Sequence, residues 1–177
     1  MEGIFNRLSD QLFSYLKKDE HLIISFDGEN SQFIRFNNAS IRQTGLVDDA
    51  TMGLKYIANS RTCHGAFTVS GDQNTDIQRG KYEINRMRLE SKEIPVDPFL
   101  VLPKNAGSSH EVKKVNGLPF DNAVSALINV MDGIDFVGIW VNGKMYRGNA
   151  NSTGQRHWFE TDSHSMDYSL VTPTHQM

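Results

Sequence analysis

The sequence predicts an α+β fold, mainly antiparallel sheet with about three helices packed on it. Three observations predict it. Between Phe33 and Asp72, apolar and polar residues alternate in short runs broken by Asn-Asn, Asp-Asp and Asn-Ser, the pattern of consecutive antiparallel strands joined by tight turns. Residues 4–18, 74–93 and 119–131 instead space their apolar residues for helices. After the third helical stretch, strand-like segments return, so the chain reads twice as helix followed by strands. That order suits two similar α/β subdomains, 1–94 and 119–177, joined by a loop over 95–118.

The elements follow in turn. Ile4, Phe5, Leu8, Leu12, Phe13, Tyr15 and Leu16 give the first helix one broad apolar face. His21–Phe26 reads as a strand, with Asp27-Gly28 as a turn signal. Gln32–Phe36, Ala39–Leu46, Ala50–Ala58 and Thr62–Ser70 read as four more strands. The second helix is capped by Asn74 or Thr75 and buries Ile77, Ile84 and Met87. Gly80 within it costs about 1 kcal/mol relative to alanine. Pro95 and Pro98 end this region, and 104–116 is expected as an exposed loop. The third helix has Pro119 near its first turn and Gly133 beyond its end. Phe136–Val141 and Lys144–Asn149 are expected to pair across an Asn142-Gly143 hairpin. Arg156–Thr161 and Met166–Leu170 complete the set, and GNANSTGQR (148–156) reads as a turn-rich connection.

Composition narrows the function classes. A chain of 177 residues can form one domain or two small ones. Its net charge of -3 argues against direct nucleic-acid binding, which requires positive charge to neutralise phosphates. A lone cysteine, Cys63, cannot form an internal disulfide. No apolar run is long enough to span a membrane, and the N-terminus has no secretory pattern. A cytoplasmic protein is expected.

No catalytic constellation emerges. HExxH and its HExxxH variant are both absent, as are the nucleophile elbow, the P-loop and the Rossmann fingerprint. His157, Glu160 and His164 are spaced H-x-x-E-x-x-x-H, but lie in strand-like sequence, where His157 and Glu160 point to opposite faces. The candidate contact residues are Arg35, Arg42, Arg147 and Arg156, all in or beside predicted strands. An arginine in a half-buried sheet needs a carboxylate or carbonyl partner. Structural ion pairing is one use; docking a peptide carboxylate or backbone is the other.

Arg35-Phe36-Asn37, followed by Ile41-Arg42-Gln43 and Ala50-Thr51-Met52-Gly53-Leu54, resembles the N-terminal region of the TldD/PmbA (TldE) family, proteins once called modulators of DNA gyrase and now grouped with metallopeptidases. Tyr146-Arg147-Gly148, Ala150-Asn151-Ser152 and Gly154-Gln155-Arg156 are similar to a stretch of the PmbA-like branch. The resemblance covers the chain but only the N-terminal portion of the family's length. It implies an α/β portion that packs against a β-rich C-terminal portion. The zinc-binding HExxxH of TldD members falls in that later portion, and the PmbA/TldE branch lacks it and pairs with TldD in a peptide-cleaving complex. No catalytic, cofactor or metal residue carries over to residues 1–177, so zinc is expected only in a C-terminal portion or a partner subunit. The expected role is a non-metal-binding domain that shapes a substrate channel and makes subunit contacts. Its partners would be a TldD/PmbA-type subunit or its own C-terminal domain, and unfolded peptide, in a homo- or hetero-oligomer. The alternative is a non-catalytic regulatory module, a PmbA/TldE-like partner or a modulator of DNA gyrase.

Overall fold

A computed structural model of the chain describes residues 1–115, 117–131 and 133–171. Its elements are α1 (Glu2–Ser14), β1 (Glu20–Asn37), β2 (Ser40–Ala58), β3 (Arg61–Thr68), α2 (Gln73–Glu90), β4 (Ser109–Lys113), α3 (Phe120–Met131), β5 (Asp135–Asn151) and β6 (Arg156–Val171). The six strands form one sheet in the order β3-β2-β1-β5-β6-β4. Three helices on a mostly antiparallel sheet make this the expected α+β fold.

Several short strands anticipated from the sequence are merged into long ones. Asp27-Gly28, Asp48-Asp49 and Asn142-Gly143 lie inside β1, β2 and β5 and turn nothing. Two of these glycines serve close approach instead. A Cβ on Gly28 would come within 3.1 Å of the Phe26 ring and 3.4 Å of Tyr146, and one on Gly143 would collide with Ser31 and the Asn30 carbonyl. The expected strands Arg156–Thr161 and Met166–Leu170 are likewise one strand, β6.

The real turns are Asn38-Ala39 and Asn59-Ser60. All four residues have φ near +50°, the left-handed pair of a type I′ hairpin loop. The second loop sets Ala58 opposite Arg61 and carries the register to Thr51 opposite Thr68. Residues 104–116, expected as loop, contain β4, whose five residues are all exposed. Ser-His-Glu-Val-Lys has no apolar alternation to announce a strand.

Chain contacts group the structure into two units, interleaved along the sequence. Unit 1 comprises Met1–Gly28, Asp49–Val112 and Tyr146–Glu160; unit 2 comprises Glu29–Asp48, Lys113–Met145 and Thr161–Met177. These boundaries differ from the 1–94 and 119–177 halves, because β1, β2, β5 and β6 each contribute residues to both units.

Unit 1 is centred on α1 and α2. Phe5, Leu8 and Leu12 of α1 join Leu22, Ile24, Met52, Ile84 and Met87 in its core. Phe5, Phe26 and Trp158 form an aromatic cluster with centroids 5.6–5.8 Å apart. Gly80 explains itself here: a Cβ would lie 2.7 Å from Leu12 Cδ2, so glycine lets α2 approach α1. The α2 cap is Asp72, accepting from the Thr75 N–H at 2.7 Å, rather than Asn74 or Thr75. Buried Asp76 then accepts from the Ser70 and Gly71 N–H groups and the Ser70 hydroxyl, fixing the β3–α2 turn. The 151–156 connection is organised by Asn151, whose Oδ1 accepts from Thr153 N–H and Oγ1 and from Gln155 N–H.

Unit 2 has a smaller core of Ile34, Phe36, Ala123, Met131, Phe136 and Trp140. Phe36 meets Phe136 edge-on, and Tyr168 stacks on Phe136 at 5.4 Å. The apolar face of α3 covers this side of the sheet. Gly133, with φ +74°, follows the helix as expected.

Candidate functional site

The four candidate arginines divide by environment. Arg156 is structural: its guanidinium bonds Asp10 at 2.6 Å and Asn6 at 3.2 Å and lies 6.0 Å from the Phe5 ring, holding β6 to α1. Arg147 is half exposed and pairs with Asp27 at 3.1 Å. Both belong to unit 1. Arg35 and Arg42 lie in unit 2 and are exposed. Neither has an ion pair or hydrogen bond among the described residues.

The β1–β2 hairpin brings these two together. Its two-residue loop joins these neighbouring strands, with Arg35 three residues before it and Arg42 three residues after it. Both line a shallow hollow of about 300 Å³ with Phe36, Asn37, Gln43 and Val137. A second hollow, about 280 Å³, adjoins the other side of Arg35, bounded by Val137, Ile139, Asp167 and Ser169.

These hollows lie on the sheet face that α3 does not cover. In β1, Ile34 and Phe36 are buried and Arg35 between them is exposed. In β5, Phe136 and Trp140 are buried, while Val137 is 37% exposed and Ile139 and Val141 are half-buried. Side chains alternate across a strand, so Val137, Ile139 and Val141 share one face. Among the described residues of unit 2, no helix lies over that face. Yet Ile134–Val141 is apolar on both sides, the composition of a strand buried on both faces.

Other sequence candidates do not assemble. Among the described residues, no three of His, Cys, Asp and Glu are grouped to hold a metal. His64 and His164 are exposed, and His175 lies outside the described residues. His157 meets Ser109 Oγ through Nδ1 at 2.8 Å and Gln155 Nε2 through Nε2 at 2.6 Å. Gln155 Oε1 accepts from Asn151, so its amide NH₂ faces the histidine and donates to Nε2. The ring proton then sits on Nδ1 and points at Ser109, the reverse of what an activated serine requires. Cys63 is buried in β3, and burial raises its thiol pKa.

One polar cluster gave no sequence signal. Glu20 receives Arg88 Nε at 2.8 Å and Nη2 at 2.7 Å, the Tyr56 hydroxyl at 2.9 Å and the Lys17 N–H at 2.8 Å. Arg88 also lies 4.8 Å from the Tyr15 ring and donates to the Tyr15 carbonyl. Burial raises the Glu20 pKa, but the bonds from Arg88, Lys17 and Tyr56 outweigh it and hold the carboxyl at about 2. Burial, then Glu20, pushes the Tyr56 hydroxyl up. With its bonds satisfied internally, this cluster ties α1, β1, β2 and α2 together. Glu20 and Arg88 are 68 residues apart, so no local pattern links them.

Comparison with solved structures identifies the fold. The chain matches TldE from Thermococcus kodakarensis with a TM-score of 0.66 at 14% identity, covering 98% of this chain and 40% of that protein. It matches a candidate modulator of DNA gyrase from Thermotoga maritima with a TM-score of 0.60 at 12% identity, over 96% of this chain and 44% of the other. A candidate gyrase modulator from Bacteroides thetaiotaomicron gives 0.54 at 14% identity, over 96% and 39%. No protein-family model and no curated protein matches the sequence. The class is therefore an α+β domain with the fold of the TldD/PmbA N-terminal region, spanning about two-fifths of the solved proteins that share it. Among the described residues, no helix is long and apolar enough to cross a membrane.

Proposed function

We propose that this chain is a non-catalytic docking domain of a TldD/PmbA-like peptidase assembly. It contributes one wall of a substrate channel and a subunit contact, and any zinc chemistry resides in another portion or subunit. The observation that carries this reading is β5, apolar on both faces while α3 covers only one. The similarity to TldE supports it at the level of fold.

On that open face Val137 is 37% exposed, with Ile139 and Val141 half-buried beside it. A contiguous apolar strip of this kind marks an interaction surface. Sedimentation velocity of the chain mixed with a TldD-type subunit tests the reading. A complex is expected, and Val137→Asp weakens it at least tenfold, since burying an unpaired carboxylate is costly. A chain that never associates, or a complex indifferent to Val137→Asp, overturns the docking role.

A second reading rests on the two solved proteins described as candidate gyrase modulators. In it, the same open face contacts a topoisomerase. Inhibition of DNA supercoiling by the chain, lost in Val137→Asp, would favour it.

A further inference from the structure

We infer that Arg35 and Arg42 form a clamp for the C-terminal carboxylate of an extended peptide lying on the open face of unit 2. The inference builds on the docking reading and names the chemistry of what the face takes.

Like charges brought close on neighbouring strands repel. Arg35 and Arg42 line one hollow, and no carboxylate among the described residues lies within ion-pair distance of either. Of the other arginines in strands, Arg147 and Arg156 each have an aspartate, and Arg61 donates to the Ile94 and Asn59 carbonyls. Asp167 bounds the adjoining hollow but forms no ion pair with Arg35. Two uncompensated guanidinium groups lining one hollow offer a site for an anion. A planar carboxylate fits best, because guanidinium forks bind it through two parallel hydrogen bonds.

The floor then selects the rest of the occupant. Asn37 and Gln43 add amide groups beside the arginines. Val137 and Ile139 continue the surface as an apolar strip along β5. Their spacing is the two-residue pleat repeat, which matches alternate side chains of an extended peptide. Phe36 and Tyr168 line the hollows, but Phe36 is buried and Tyr168 is stacked on Phe136, so neither ring is a free platform for base stacking. Both hollows are shallow, suited to a chain end rather than an enclosed small molecule.

The test uses the 177-residue chain, isotope-labelled, titrated with N-acetyl-Ala-Ala-Leu bearing a free C-terminal carboxylate. The expected result is saturable amide shifts confined to residues 35–43 and 137–139. The C-terminal amide of the same peptide binds at least tenfold more weakly. Arg35→Gln and Arg42→Gln each reduce affinity tenfold or more, while Arg147→Gln, whose native side chain is already paired with Asp27, leaves it unchanged. Both variants should also keep or raise the urea midpoint, since each removes a repulsion; a fall in midpoint would instead assign the arginines to fold stability. Equal binding of acid and amide overturns the clamp. Inorganic phosphate competing as well as the peptide acid overturns the peptide assignment. If the peptide fails to bind while Val137→Asp still disrupts association with a TldD-type subunit, the docking reading stands and the clamp falls.

Discussion

The Glu20–Arg88 pair offers a measurement in which geometry, charge and pH must agree. Glu20 is 9% exposed and Arg88 12%, joined by two nitrogen–oxygen bonds of 2.7 and 2.8 Å. The folded carboxyl titrates at about 2 against an ordinary 4.5. A carboxyl whose folded pKa is depressed stabilises the fold when ionised. Its contribution is therefore fully present above about pH 4.5 and is lost as pH falls through about 2. The difference corresponds to roughly 3 kcal/mol, at 1.36 kcal/mol for each pH unit. Glu20→Gln keeps the shape, removes the charge and leaves Arg88 half-stranded. Loss of one partner of a buried pair costs about 3–5 kcal/mol. Urea unfolding of both proteins at pH 7, 5, 4, 3 and 2 reads the effect. The variant should be less stable by about 3 kcal/mol at pH 7, and the gap should close toward pH 2. A gap independent of pH, or one below about 1 kcal/mol at pH 7, would refute the claim that this pair ties the helices to the sheet.

Three further outcomes follow from packing. Gly80→Ala gains about 1 kcal/mol of helix propensity but drives a methyl against Leu12 Cδ2. It should be destabilising overall by about 1–2 kcal/mol in thermal unfolding, and Leu12→Ala in the same protein should relieve the clash, giving a non-additive cycle. Asp76→Ala removes the acceptor for three donors at the β3–α2 turn and should cost about 2–3 kcal/mol, read by denaturant midpoint. Cys63, buried with a raised thiol pKa, should resist alkylation at pH 8 in the native protein and react fully in urea.

Much of the fold was legible in the sequence because its signals are local. The three helices appear within a few residues of their expected bounds, since their apolar spacing and end signals lie within single segments. The Asn38 and Asn59 turns were visible as Asn-containing breaks. Asn142-Gly143 misled because the same dipeptide that favours a hairpin also permits close backbone approach, and Ser31 leaves no room there for a side chain. The interleaved units were hidden because long strands with a change of environment midway carry no boundary signal. Of the four arginines, sequence could not tell paired from unpaired. Arg156 meets Asp10 across 146 residues, whereas Arg35 and Arg42 are joined only by a hairpin loop. The apolar continuity of Ile134–Val141 is visible in the sequence and fits the proposed docking face.

Covering of that face is the central claim, and carbene footprinting by mass spectrometry tests it most directly. The chain would be labelled alone and in complex with a TldD-type subunit. The account predicts that labelling of Val137 and Ile139 falls sharply in the complex, while exposed Tyr82 and Leu89 of α2 label as before. A complex that forms with Val137 and Ile139 still fully labelled, or with protection on α2 instead, would contradict it.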